Sequence, residues 1–96
     1  MDIRNIRHKG LRALAEKDSG RGLPANYLTK IRDILEFLIV IEDIDEVYDL
    51  SKYKPHMLSG KREGTFSLSV TANWRITFEY DAEKDELFDL NFEDYH

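Results

Sequence analysis

The sequence predicts an α+β fold: two N-terminal helices packed on a mostly antiparallel sheet of four or five strands, as a single domain over residues 1–96. Three observations carry this. Apolar residues recur at helical spacing through the first 40 positions. From residue 66 onward they alternate with polar ones, the period of a strand with one buried and one wet face. The chain has 96 residues, 42% of them hydrophobic and only two of them prolines, which suits one domain around one core.

Residues 2–6 are short and β-compatible, with Ile3 as the apolar member. Residues 11–17 read as a short helix, with Leu11 and Leu14 one turn apart and Ala13 and Ala15 adding helix propensity. The stretch DSGRG at 18–22 is a loop. Pro24 suits a helix start, where its missing N–H would have no partner anyway. The strongest helix follows: Tyr27, Leu28, Ile31, Ile34, Leu35 and Leu38 fall on one side, with Thr29, Lys30, Arg32, Asp33 and Glu36 on the other. It ends within residues 37–41, before an acidic run at 42–49. Residues 53–58 can be extended. Phe66, Leu68 and Val70 then alternate with Ser67 and Ser69. Trp74, Ile76, Phe78 and Tyr80 alternate with Arg75, Thr77 and Glu79. Phe88, Leu90 and Phe92 alternate with Asp89, Asn91 and Glu93. Turns fall at 59–64, 71–73 and 81–85. The aromatics Phe66, Trp74, Phe78, Phe88 and Phe92 share the apolar parity and read as core, not as base-stacking platforms.

Composition excludes several classes. Without Cys there is no disulfide scaffold and no thiolate metal site. No apolar run nears the ~20 residues of a membrane helix, and MDIRNIRHKG lacks a signal peptide's apolar stretch, so the cytosol is the expected location. The net charge of −5 argues against a surface that attracts nucleic acid everywhere. The charge is segregated, however. Residues 1–32 hold eight basic and three acidic side chains, and residues 33–50 hold seven acids and no base. Residues 51–62 hold Lys52, Lys54, Lys61 and Arg62 with no acid, and residues 79–96 hold eight acids against Lys84. Screening beyond about 8–10 Å lets a basic patch work on an acidic protein.

The residues that could do chemistry are His56, inside the basic stretch; Arg75, on the wet parity of a central strand; and Asp94-Tyr95-His96, just past the last strand. Each also has a plain structural reading: a surface histidine, a cross-strand ion pair of Arg75 with Glu79 or Asp89, a frayed tail, and His8 as a helix cap. No glycine loop or serine triad stands out. A His/Asp metal site is disfavoured, because no His has another at i+2 to i+4 and two of the three sit near cations. Cleavage of an RNA phosphodiester fits better. The 2′-hydroxyl is an internal nucleophile, so the protein need only move two protons and stabilise a dianionic phosphorane. Histidine suits either proton role near neutral pH.

Read as a set, the motifs resemble the HigB branch of the RelE-like toxins, the plasmid-maintenance killer proteins. The matching pieces are Arg7-His8-Lys9-Gly10-Leu11, Lys30-Ile31-Arg32, the stretch 53–64 around His56, Asn73-Trp74-Arg75-Ile76-Thr77-Phe78, and the closing Glu93-Asp94-Tyr95-His96. The resemblance spans essentially the whole chain. It implies a RelE-like microbial RNase fold and ribosome-dependent, metal-independent mRNA cleavage with no cofactor. It also implies neutralisation by a HigA-like helix-turn-helix antitoxin, through which alone the toxin meets operator DNA, and no membrane partner. By position, His56, Asp94, Tyr95 and His96 match the family's catalytic residues. Arg75 is the choice for the scissile phosphate, with Lys52, Lys54, Lys61 and Arg62 on the RNA backbone. Two departures stand out. Ser59 occupies a position where related toxins often carry lysine, and the chain is acidic where such toxins are usually basic. The alternatives are a catalytically weakened homologue that binds an antitoxin and co-regulates transcription, and an unrelated metal-dependent hydrolase. Residues 37–49 depart from the family pattern, as extra core or as an antitoxin surface.

Overall fold

In the computed structural model, which describes residues 1–94, five strands form one sheet in the order β1-β5-β4-β3-β2. The strands are β1 (Asp2–Ile3), β2 (His56–Met57), β3 (Thr65–Ser69), β4 (Trp74–Asp81) and β5 (Glu86–Asp94). β1 runs parallel to β5, and every other pairing is antiparallel. The helices are α1 (Lys9–Lys17) and α2 (Leu28–Val40). Leu11 and Leu14 of α1 and Ile31, Ile34, Leu35 and Leu38 of α2 are buried with Phe66, Leu68, Ile76, Phe78, Leu90 and Phe92 of the sheet. The helical stripe and the strand parity therefore meet in one core, as their periods require.

His8 starts α1 two residues earlier than its leucines suggest. Its backbone is extended, and its Nδ1 accepts the Leu11 N–H at 3.1 Å, a cap for a helix that begins with neither Ser nor Asp. Behind it, Gly10 and Gly22 bring two backbones together: a Cβ on Gly10 would lie 2.4 Å from the Gly22 carbonyl oxygen. The acidic run forms a 3₁₀ turn over Ile44–Asp49. Asp43 accepts from the Asp45 N–H at 2.9 Å, and Glu46 accepts from the Asp43 N–H at 2.8 Å. The segment is core only in part. Ile41 and Val47 join the core, while Ile39 and Val40 stay exposed.

One expectation fails in β5. Thr77 pairs with Asn91, but Glu79 pairs with Phe88, so Asp89 and Leu90 together face one residue of β4. Asp89 takes the left-handed conformation at φ 51°. Its N–H bonds the Asn5 side-chain oxygen at 2.9 Å, and the Asn5 amide returns a bond to its carboxylate at 2.8 Å. This bulge reverses parity upstream. Leu87 takes the buried place and Phe88 turns to the opposite face, where the Arg4 guanidinium lies 4.8 Å from its ring centre. Phe88 is therefore not core.

Candidate active site

Directly paired residues of an antiparallel sheet share a face. His56 pairs with Ser67, Ser67 with Thr77, and Thr77 with Asn91; one step along, Ser69 pairs with Arg75 and Arg75 with Glu93. All of these lie on the face opposite the helices. Ser67 and Thr77 are nonetheless almost fully buried, because long side chains roof them. Arg75 Nη1 donates to Ser67 Oγ at 3.3 Å, over the residue that faces His56. Ser67 thus has His56 as its strand partner and Arg75 on its hydroxyl, although His56 and Arg75 are 19 positions apart in sequence.

The backbone aims His56. Lys54 is left-handed at φ 50°, and its carbonyl lies 3.0 Å from His56 Nδ1. A carbonyl can only accept, so Nδ1 carries the hydrogen and leaves Nε2 of the exposed ring as the atom that can exchange a proton. Farther along the same face, Lys52, Lys54, Ser69, Thr71 and Arg75 border a hollow of about 310 Å³ that His56 does not line. The chemistry available is a guanidinium and two ammonium groups around a space open to an anion, with one proton-transfer group on the neighbouring strand.

The register corrects two readings. Arg75 faces Glu93, not Glu79 or Asp89, because the antiparallel register that pairs Thr77 with Asn91 sets Glu93 opposite Arg75, while Glu79 lies four residues along the same strand. Arg62 does not stand ready for a phosphate. Its fork grips Glu93, with Nη1 at 3.0 Å and Nη2 at 2.6 Å, and the Thr77 hydroxyl donates to the same carboxylate. The Arg62 hydrogen bonds, then Thr77 and the nearby Arg7 charge, outweigh burial and hold Glu93 below the usual carboxylate range. Glu93, Thr77 and Ser67 were not singled out from sequence. The signal available was their shared odd parity with Arg75 on neighbouring strands.

Of the remaining expected residues, Lys61 lies in the exposed turn Gly60–Arg62. Asp94 pairs with Trp74, so it has the parity of the helix-side residues and the register does not bring it beside His56. Tyr95 and His96 lie outside the described residues. His8 has the structural role its position suggests, standing edge-on to Phe92 with ring centres 5.6 Å apart. Among the described residues, no helix is long and apolar enough to cross a membrane.

The family model described as the RelE-like toxin of type II toxin–antitoxin system HigB matches residues 4–96. Endoribonuclease HigB of Proteus vulgaris is 42% identical over 96 residues, covering 98% of this chain and 99% of its own. Among solved structures, the YoeB/ParE toxin from Agrobacterium tumefaciens superposes with TM-score 0.56 at 16% identity, over 100% of this chain and 99% of that one. The toxin–antitoxin complex RelBE2 from Mycobacterium tuberculosis gives 0.51 at 18% identity, over 97% and 95%. These structural likenesses show a shared fold. The family match and the near full-length identity show more: the chain belongs to the HigB family of RelE-like toxins of type II toxin–antitoxin systems.

Proposed function

We propose that the chain is an endoribonuclease that cuts mRNA on the ribosome by attack of the RNA 2′-hydroxyl on the adjacent phosphorus, without a metal ion. The observation that carries this reading is the placement of His56 and Arg75 on one sheet face, the first paired with Ser67 and the second bonded to its hydroxyl. The name of the Proteus vulgaris relative points the same way.

In this mechanism the 2′-oxygen forms the new P–O bond while its proton leaves to a base. The P–O5′ bond breaks, and the 5′-oxygen takes a proton from an acid. The products are a 2′,3′-cyclic phosphate and a 5′-hydroxyl. His56 Nε2 serves one proton transfer. We assign the other to Tyr95 or His96 on the family pattern, since the register turns Asp94 to the opposite face. Arg75 faces the phosphorane, where charge develops, and Lys52, Lys54 and Lys61 hold neighbouring phosphates. Arg62 is a positioning residue, fixed by Glu93. A site this shallow orders RNA poorly by itself, and the ribosome supplies the alignment. The partner is a helix-turn-helix antitoxin; membership of a type II toxin–antitoxin family supports an antitoxin, and the helix-turn-helix type follows from the family resemblance.

The test uses purified protein, programmed ribosomes and an mRNA carrying a single 2′-deoxynucleotide at the cut position. The expected result is cleavage of the all-ribose message, unaffected by EDTA, and none at the deoxy position. Cutting at the deoxy position, or loss of cutting in EDTA, overturns the mechanism. Ser59, at the head of the turn Gly60–Arg62, favours the second reading, an antitoxin-binding homologue that cuts nothing. Intact message after induction of the wild type would select it.

A further inference from the structure

Val40, the last residue of α2, is 72% exposed, the most of any large apolar side chain among the described residues. It does not stand alone. Asp33, Phe37 and Val40 follow one another at i, i+4 and i+7, so they share one side of the helix. Phe37 and Val40, with Leu50 and Tyr53 from the turns that follow, line a hollow of about 500 Å³. Asp33 and Glu36 stand on its α2 rim, and Lys52 on the rim formed by the turn Ser51–Tyr53. Neither acid is in an ion pair among the described residues. Residues 42–49, which lead into Leu50, hold five more acids and no base. The hollow adjoins the proposed active site. Lys52 borders it and also borders the cationic hollow of Lys54 and Arg75. Its ammonium lies 5.1 Å from the ring centre of Tyr53. α2 reaches the cationic hollow as well: Lys30 Nζ donates at 3.5 Å to the carbonyl of Val70, which lines it.

From this we infer that the hollow beside Val40 is a docking site for the antitoxin, which seats there a segment carrying an apolar side chain next to lysines or arginines. An apolar patch rimmed by charge marks a protein contact, and membership of a type II toxin–antitoxin family supplies the protein. Charge selects the segment. The seven acids of residues 33–50 repel an RNA backbone and attract a basic peptide. Its cations lie on the α2 rim with Asp33 and Glu36. Its apolar side chain packs on Phe37 and Val40, between that rim and Lys52. Because Lys52 is common to both hollows, a segment seated here crowds the cationic one and blocks the approach of an RNA phosphate. The docking site thus regulates the proposed active site; it rests on that reading for its effect on cleavage, and on the family for the partner.

The experiment titrates the purified antitoxin encoded beside this gene into the full chain by isothermal calorimetry, across a salt series. Val40→Asp and Asp33→Lys/Glu36→Lys probe the hollow. Lys9→Gln/Arg12→Gln, on α1, probes a rival surface. Circular dichroism should show an unchanged fold in all three. Each α2 variant should weaken binding about tenfold or more, and the charge reversal should remove the fall in affinity with added salt. The α1 variant should bind like the wild type. Without antitoxin, both α2 variants should cut message on ribosomes at the wild-type rate, and both should need about tenfold more antitoxin to be silenced. Wild-type affinity in both α2 variants overturns the docking site, and a loss confined to the α1 variant moves the antitoxin to that helix. Self-association of the wild type in sedimentation, abolished by Val40→Asp with antitoxin affinity unchanged, assigns the hollow to a second copy and also overturns it. Affinity losses confined to the α2 variants, in a chain whose wild type cuts no message, uphold the docking site and overturn the proposed function instead.

Discussion

Two side chains show how identity sets role. His8 caps α1 through a ring nitrogen that must stay unprotonated to accept, and burial holds its pKa below the ordinary value. Above about pH 6.5 the imidazole is neutral in both folded and unfolded chains, and the cap is fully present. As the pH falls through that value the unfolded chain takes the proton first, so stability declines until the folded His8 is protonated too. Chemical denaturation at pH 7.5 and pH 5.5 should show this loss in the wild type. His8→Asn, which keeps an acceptor and removes the titration, should show less of it. Glu93 titrates in a separate window. Its folded pKa is depressed, so its contribution holds above its unfolded value of about 4.5 and is lost as pH falls below that. The Glu93–Arg62 pair is partly solvated and is worth less than ~1 kcal/mol; its importance is geometric. Glu93→Gln should slow cleavage roughly 10–100-fold by loosening Arg62 and Arg75. Because it removes a negative charge, it should leave RNA binding as tight or tighter. Weaker binding with an unchanged single-turnover rate would contradict this role.

Periodicity made the sheet and the helices legible, because the 3.6-residue stripe of Tyr27 to Leu38 and the alternation of Trp74 to Tyr80 both follow from burying one face. The bulge was not legible. Phe88, Leu90 and Phe92 look like one continuous alternation, and only the long-range bonds from Asn5 reveal that Asp89 is the extra residue. Asp89→Ala should cost about 1–2 kcal/mol, from the lost hydrogen bond and the left-handed backbone. Asp89→Gly, free of the backbone penalty, should cost less; equal losses would place the effect elsewhere. The Gly10–Gly22 contact was hidden for the same reason, since neither glycine marks a turn that requires it. Gly10→Ala should destabilise by about 1–3 kcal/mol through overpacking, read from the urea midpoint.

The acidic balance is reconciled with an anionic substrate by where the charges fall. Glu86, Asp81 and the turn between them occupy one end of the β4–β5 hairpin, and Asp43 lies within electrostatic reach of Tyr80 near that end. Arg75 and Glu93 pair at the other end, six residues or roughly 20 Å along the strand from Asp81. That distance exceeds the Debye length of physiological salt, so the acids of that turn hardly weaken the cationic end, where Arg62 offsets Glu93. Segment charges in the sequence anticipate this separation. They could not anticipate that Arg62 is committed to Glu93, because a pairing across 31 positions depends on the register of the sheet. The pairing of His56 with Ser67 and the bond from Arg75 to the same serine depend on that register too.

The measurement that decides is the single-turnover rate at which His56→Ala cuts message on programmed ribosomes, with folding checked by thermal melting. Removing a general acid or base should slow the rate about 10²–10⁴-fold with the melting temperature unchanged. A folded variant that cuts within a few-fold of the wild-type rate would take the proton-transfer role away from His56, and with it the site assembled over Ser67.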